Sequence, residues 1–92
     1  MKYRLILAGF GLTLLGGCTS HDKALKIAQD ELGRYCAREH VDCAAAKLVT
    51  ERPSGTGWYL EFEISRTPSH RLEIYVGAFG TADVSSYREQ RG

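Results

Sequence analysis

The sequence predicts an α+β fold in which one N-terminal helix packs on an antiparallel meander of three to four strands, in two layers. Apolar residues recur at helical spacing over residues 22–39, and apolar and polar residues alternate over residues 58–65 and 71–76. The chain of 92 residues is 43% apolar and 25% charged, which is typical of one small globular domain. Its 12 basic and 11 acidic side chains show no basic excess, which argues against a nucleic-acid partner.

Residues 1–17 have the features of an export signal. Lys2 and Arg4 precede an apolar run from Leu5 to Leu15, and two glycines lead from that run to Cys18. As a helix the run would rise about 16 Å, roughly half of what a membrane crossing needs. We therefore expect residues 1–17 to be a signal peptide that is removed.

The segment Leu15-Gly16-Gly17-Cys18 resembles the lipobox of bacterial lipoproteins. The resemblance implies a diacylglyceryl thioether on the Cys18 sulfur, cleavage after Gly17 and acylation of the new amino group. The alternative is an ordinary signal peptide with a coincidental cysteine nearby. Thr19 stands where lipoproteins kept at the inner membrane often carry Asp, so the resemblance favours lipid anchoring in the outer membrane, facing the periplasm.

Residues 18–21 would then be the lipidated cysteine and a short tether to a domain over residues 22–88. A tether of this length spans about 10–14 Å at most, so the domain should lie against the lipid surface. Residues 89–92 are expected to fray.

With Cys18 assigned to lipid, Cys36 and Cys43 remain as an even pair in an oxidising compartment, and we expect them to form a disulfide. An unbroken helix would hold their Cα atoms about 10 Å apart, beyond the limit for a bridge, so the helix should end between them. Two alternatives stay open. Cys36, His40 and Cys43 share a helical face and offer three zinc ligands, or the two cysteines are unlinked apolar thiols.

The helix is predicted over residues 22–39, with Ser20 or Asp22 capping its first amides. Gly33 costs about 1 kcal/mol in the helix interior relative to alanine, and it either permits close approach to the sheet or is simply tolerated. The apolar positions of the helix are Ala24, Leu25, Ala28, Leu32, Tyr35 and Cys36.

A connection over residues 40–46 leads to strands predicted at 47–52, 58–65, 71–76 and 82–87, with turns at 53–57, 67–70 and 77–80. The core face of the two central strands comprises Trp58, Leu60, Phe62, Ile64, Leu72, Ile74 and Val76. For an unbulged hairpin we expect Ile64 opposite Ile74, because pairing Phe62 with Ile74 would set Glu63 directly against Glu73.

Residues 24–85 resemble the PepSY and cystatin-like group of small domains, in which one helix crosses a curled antiparallel meander. The matching parts are the helix opening at residues 23–28, the aromatic strand at 58–64 and the strand, glycine turn and strand at 74–84. The chain departs from the pattern in its Cys36 and Cys43 pair and in Gly77, where the family often has Asp. The resemblance implies a binding or inhibitory module of the cell envelope, or a small immunity protein, and transfers no catalytic residue.

No catalytic constellation is evident in the sequence. His21, His40 and His70 fall in a cap, a connection and a turn, and none is evidently placed beside a nucleophile and an acid. Glu61 and Glu63 would lie about 7 Å apart on one strand face and could mimic a two-carboxylate site, but such residues more often form the solvated side of a strand. We predict no enzyme activity and no cofactor.

The polar face of the central strands is the candidate partner-binding surface. Tyrosine and arginine are common anchors of protein interfaces. The residues of this surface are Tyr59, Glu61, Glu63, Arg71 and Tyr75. The alternative is that they form ordinary cross-strand pairs on a sheet surface.

The function expected from these features is a non-enzymatic, lipid-anchored module that binds or inhibits an envelope protein. A second hypothesis is an immunity protein that neutralises a toxin in the periplasm. A third is a metal carrier or enzyme that uses Cys36, His40 and Cys43.

Overall fold

In the computed structural model, which describes residues 19–89, one helix packs on a four-stranded antiparallel sheet of strand order β1-β2-β3-β4. The predicted α+β class is confirmed, whereas the predicted signal peptide and Cys18 lie outside the described residues. The elements are α1 (His21–Glu39), β1 (Lys47–Ser54), β2 (Gly57–Arg66), β3 (Ser69–Val76) and β4 (Ala82–Arg88). None of the helical sequence within residues 19–89 has the length and apolar character that crossing a membrane requires.

Both ends of α1 are capped. Ser20 is the N-cap, and its hydroxyl accepts a hydrogen bond from the Lys23 amide at 3.3 Å. At the other end His40 takes the left-handed conformation, with φ 56°, and the Val41 amide bonds back to the Cys36 carbonyl at 2.9 Å. This turn ends the helix between the two cysteines, as the sequence predicted.

The core lies between α1 and the even-numbered side chains of β2 and β3, which are the residues that strict alternation selects. Trp58 is half-buried at one end of this layer. The buried core residues are Ala24, Ala28, Tyr35, Cys36, Leu60, Phe62, Ile64, Leu72, Ile74 and Val76. Full burial of each large aliphatic side chain contributes about 1.5–3 kcal/mol, so this single layer supplies most of the hydrophobic stabilisation of the domain.

The predicted register of the β2–β3 hairpin is wrong. Ile74 lies opposite Leu60 instead of Ile64, and the ladder shifts by one residue between Glu63 and Ser65. This bulge places an extra residue in β2, so a two-residue turn at 67–68, containing a cis Thr67-Pro68 bond, closes the hairpin while the apolar residues keep one face. The prediction assumed an unbulged hairpin.

The β1–β2 turn is also tighter than predicted. Only residues 55–56 lie outside the strands, and Gly55 has φ 59°. Pro53, predicted to be in the turn, lies in β1 opposite Trp58, which is possible because β1 is an edge strand whose outer amides need no partner. A second bulge interrupts β1 between Leu48 and Thr50.

His70 was predicted to lie in a turn, but it belongs to β3 and is 5% exposed. Its Nε2 lies 2.7 Å from the Tyr35 hydroxyl, which joins the sheet to α1 through a buried polar contact. Ordered contacts also continue into the segment expected to fray, because the Glu89 amide donates to the Ser69 carbonyl at 2.8 Å.

Candidate functional site

The five residues of the predicted partner-binding surface all lie on the sheet face turned away from α1, which we call the outer face. Strand alternation brings them together, since Tyr59, Glu61 and Glu63 are odd-numbered in β2 and Arg71 and Tyr75 are odd-numbered in β3. The outer face is therefore one continuous polar surface across the central hairpin.

Arg71 is the centre of an ion-pair network on the outer face. Its guanidinium donates to Glu61 at 3.0 Å and to Glu63 at 3.5 Å, and the hydrogen bond to Glu61 raises the pKa of Arg71 above its ordinary value. Lys47 and Arg66 approach the other oxygen of Glu63, at 3.9 and 3.6 Å. The two carboxylates are largely covered, with side-chain exposures of 14% and 12%.

This network explains why the structure accepts a like-charged pair, although not the Glu63–Glu73 pair that the sequence argument sought to avoid. Glu61 lies directly opposite Glu73. Arg71, two residues away on the same face of β3, supplies the positive charge that offsets the repulsion. Glu61 and Glu63, which the sequence offered as a possible two-carboxylate site, both bond to the Arg71 guanidinium and so form an ion-pair network.

The two tyrosines of the predicted surface are engaged within the domain. The guanidinium carbon of Arg52 lies 4.1 Å from the Tyr59 ring centroid, and burial, together with a hydrogen bond to Glu73, raises the pKa of Tyr59 to about 12. The Tyr75 hydroxyl donates to the Ser54 carbonyl at 3.2 Å. Neither ring is freely available as a protruding interface anchor.

Sequence reasoning missed Tyr87, which is the exposed aromatic residue of the outer face. It lies opposite Arg71 on β4 and is 56% exposed. The signal was present, because Asp83, Ser85 and Tyr87 alternate with Val84 and so belong to the polar face. Sequence reasoning also left Arg52 and Glu73 out of this surface, although Arg52 lies opposite Tyr59 and Glu73 lies opposite Glu61.

A cleft of about 490 Å³ opens at the end of the sheet that carries the β2–β3 turn. It brings the connection after α1 beside the edge of the outer face, so the charged groups of Glu63 and its partners border it. The residues lining it are Asp42, Ala45, Lys47, Glu63, Ile64, Ser65, Arg66 and Thr67.

Cys36 and Cys43 lie at disulfide-bonding distance beside this end of the sheet, with their Cα atoms 6.1 Å apart. That spacing agrees with the predicted bridge. His40 lies between them as the left-handed cap of α1 and is exposed. Residues 19–89 contain no cluster of three or more His, Cys, Asp or Glu side chains placed to hold a metal ion.

Two of the three histidines, His21 and His70, have side-chain partners within the domain. His21 forms an ion pair with Glu51, which raises the pKa of His21, and its ring packs edge-on against Trp58 with centroids 4.7 Å apart. Burial lowers the pKa of His70, and Arg88 lowers it further. In the described contacts neither histidine bonds to a serine or cysteine side chain.

The strongest unexpected feature is the fixation of Thr19. Its single hydroxyl proton is shared between two acceptors, the Gly77 carbonyl at 2.7 Å and the Ala78 carbonyl at 2.9 Å. Its own carbonyl accepts a hydrogen bond from the Trp58 indole at 3.0 Å, and its amide donates to the Thr56 carbonyl at 3.4 Å. Thr19 is only 7% exposed.

The sequence predicted a tether over residues 18–21, but residues 19–21 of that segment are engaged in the fold. Ser20 caps α1 and His21 is the first residue of the helix. The turns at 55–56 and 77–81 hold Thr19, and we call this end of the sheet the Thr19 end.

Comparison of the chain with protein-family models, with curated proteins and with solved structures finds no match.

Proposed function

We propose that this protein is a lipid-anchored, non-enzymatic binding module of the bacterial cell envelope, attached to the outer membrane through Cys18 and facing the periplasm. The observation that carries the proposal is the fixation of Thr19. Thr19 is buried, and its hydroxyl, carbonyl and amide all have hydrogen-bond partners, so acyl chains on the preceding residue would be held close to the domain.

The spacing of the lipobox-like segment supports the same conclusion. If the chain is cleaved after Gly17, Cys18 becomes the first residue and a single peptide bond joins it to Thr19. Consecutive Cα atoms are about 3.8 Å apart, so the acyl chains would emerge directly at the Thr19 end, with no flexible linker. Two or more acyl chains hold a protein stably at a bilayer.

A binding role fits the residues better than a reaction. The carboxylates of the outer face are paired, His70 is buried against Tyr35, and His21 is paired with Glu51. The resemblance to PepSY-like and cystatin-like domains also favours a binding or inhibitory module.

The outer face is the surface we assign to an envelope protein partner. Arg71 keeps 40% of its side chain exposed although it bridges two carboxylates, and Tyr87 beside it is 56% exposed. Tyrosine and arginine are both enriched among the residues that contribute most to binding at protein interfaces. Since the network around Arg71 is already formed, little side-chain entropy would be lost on binding.

The anchor is tested by mass spectrometry of the native protein from membranes. We expect a chain that lacks residues 1–17 and carries acyl groups on Cys18. An intact Met1 or a bare thiol at Cys18 would overturn the anchor.

The partner surface is tested by cross-linking in intact cells, followed by identification of the captured proteins, with wild type compared to Tyr87→Ser. The variant removes an exposed ring and should fold, so we expect loss of a specific partner. Gln29→Ala, on the exposed side of α1, is the matched control and should keep that partner. Equal capture by Tyr87→Ser and wild type would remove the outer face from the proposal, and capture of a toxin would identify an immunity role.

A further inference from the structure

The turn between β3 and β4 presents one apolar side chain to solvent. Phe79 is 87% exposed, far more than Val49, which is 38% exposed and is the other exposed large residue with a fully apolar side chain among residues 19–89. An isolated exposed apolar residue is common on protein surfaces and by itself indicates nothing. Phe79 is informative because it directly follows the two residues that bond to Thr19.

The turn that carries Phe79 is ordered by its own hydrogen bonds. The Gly77 amide donates to the Thr81 carbonyl at 2.8 Å, and the Gly80 amide donates to the Gly77 carbonyl at 3.1 Å. Gly80 has φ 82°, a conformation that favours glycine. The ring is therefore presented from a defined turn, and binding it would cost little backbone ordering.

The same turn holds the first described residue of the chain. The Thr19 hydroxyl donates to the carbonyls of Gly77 and Ala78, the two residues directly before Phe79. Covalent geometry places the Cα atom of residue 18 about 3.8 Å from that of Thr19. Thr19, the residue bonded to Cys18, and the exposed ring thus share one end of the sheet.

Two side chains of opposite charge lie on the first turn of α1 at the Thr19 end. Lys23 is exposed, and its side chain lies beside Gly80. The neighbouring Asp22 has a fully exposed side chain of opposite charge. This balance favours an apolar contact with a bilayer over electrostatic attraction to anionic lipids.

We propose that Phe79 inserts into the lipid interface beside the acyl chains of Cys18, so that the domain stands on its Thr19 end with the cleft and the disulfide-distance cysteines directed away from the membrane. This inference rests on the proposed lipid anchor. Burial of one aromatic ring would not bind a free protein to a membrane. Once the acyl chains anchor the protein, insertion of the Phe79 ring becomes an intramolecular step, and the free energy of burying that ring is enough to fix the orientation of the domain.

The test uses the acylated protein reconstituted in vesicles of phosphatidylethanolamine with a minor fraction of phosphatidylglycerol. The photoreactive residue benzoylphenylalanine replaces Phe79 in one variant and Tyr87 in another. Both side chains are exposed aromatics, but Tyr87 lies toward the opposite end of β4, so it controls for the apolar character of the probe itself. Neither belongs to the core, and circular dichroism checks that both variants fold.

We expect about tenfold more lipid adduct at position 79 than at position 87, since burial of one aromatic ring shifts a tethered equilibrium by at least this factor. High salt should change the yield at position 79 by no more than about twofold, because screening acts on charges and not on apolar burial. Equal yields at both positions, or loss of the adduct at high salt, would overturn the insertion of Phe79.

Mass spectrometry of the same samples separates this inference from the anchor. Acylated protein without lipid adducts at position 79 would refute the insertion alone. Protein purified from membranes without acyl groups on Cys18 would refute the proposed anchor and this inference together.

Discussion

Replacement of Gly57 by alanine should destabilise the domain strongly, although the backbone at Gly57 needs no positive φ. A Cβ atom built there would lie 1.9 Å from the Val76 carbonyl oxygen and 3.0 Å from the Gly77 Cα. Non-bonded heavy atoms prefer separations of about 3.5 Å, so β2 and β3 would have to move apart by roughly 1.5 Å at this point. The contacted atoms are backbone, so no side-chain rotation can relieve the clash.

Overpacking of this kind costs about 1–3 kcal/mol, and we expect the upper half of that range because Gly77 also accepts the Thr19 hydrogen bond. For a domain of this size each kcal/mol corresponds to about 4–8 °C, so the melting temperature should fall by roughly 10–20 °C. Urea denaturation and thermal melts of the Cys18→Ser chain lacking residues 1–17 measure both quantities.

Gly33→Ala is the matched control with the opposite expected sign. A Cβ atom at Gly33 meets nothing within 4 Å, so the glycine is simply tolerated in α1. Alanine should stabilise the helix by about 1 kcal/mol, because it removes the propensity cost of glycine. If Gly57→Ala stayed within about 0.5 kcal/mol of the parent chain, the close approach of Gly57 to Val76 would be refuted.

Three further predictions concern other contacts. Thr19→Val should cost about 1–2 kcal/mol in urea denaturation by leaving the carbonyls at the Thr19 end without their donor, whereas Thr56→Val, in an exposed turn, should cost less than about 0.5 kcal/mol. Because burial lowers the pKa of His70 in the folded state, the unfolded chain binds more protons below about pH 6.5 and stability should fall there. His70→Gln should remove this fall in stability at low pH. His21, whose raised pKa has the opposite effect, is present in both chains and so does not affect the comparison. If the stability of the variant and of wild type changed with pH in the same way, the role of His70 would be refuted. The double variant Cys36→Ala, Cys43→Ala should have a free energy of unfolding about 2.5 kcal/mol lower than oxidised wild type, which is the chain-entropy value for a loop of about eight residues. Reduced wild type should be destabilised by the same amount. Free thiols at these positions in native protein purified without reducing agent would count against the bridge.

Periodicity was sufficient to predict the architecture. The even-numbered residues of β2 and β3 are buried as expected, because a period of two leaves no other face for Leu60 or Ile74. The end of α1 before Cys43 followed from the geometric limit on a disulfide.

Local departures from regular geometry were not predictable in the same way. The bulge between Glu63 and Ser65 occurs where no glycine or proline marks it, and it changes the register of the whole hairpin. Thr19 was read as linker because its contacts are with residues 56, 58, 77 and 78, which only the folded sheet brings to it. His70 and Tyr87 were different, since their parity already indicated their faces.

The bulge in β1 and the proline beside the β1–β2 turn affect how readily two copies of this protein can join edge to edge. An open sheet exposes two rows of backbone groups that invite a neighbouring strand to add, and aggregation begins there. On β1, Pro53 lacks an amide proton and the irregularity between Leu48 and Thr50 breaks the regular spacing of the others. β4 has no comparable interruption in its ladder. Addition of a strand from another copy is therefore disfavoured at β1 and less hindered at β4, so edge-to-edge pairing through β4 would leave only the protected β1 edges at the outside of a pair.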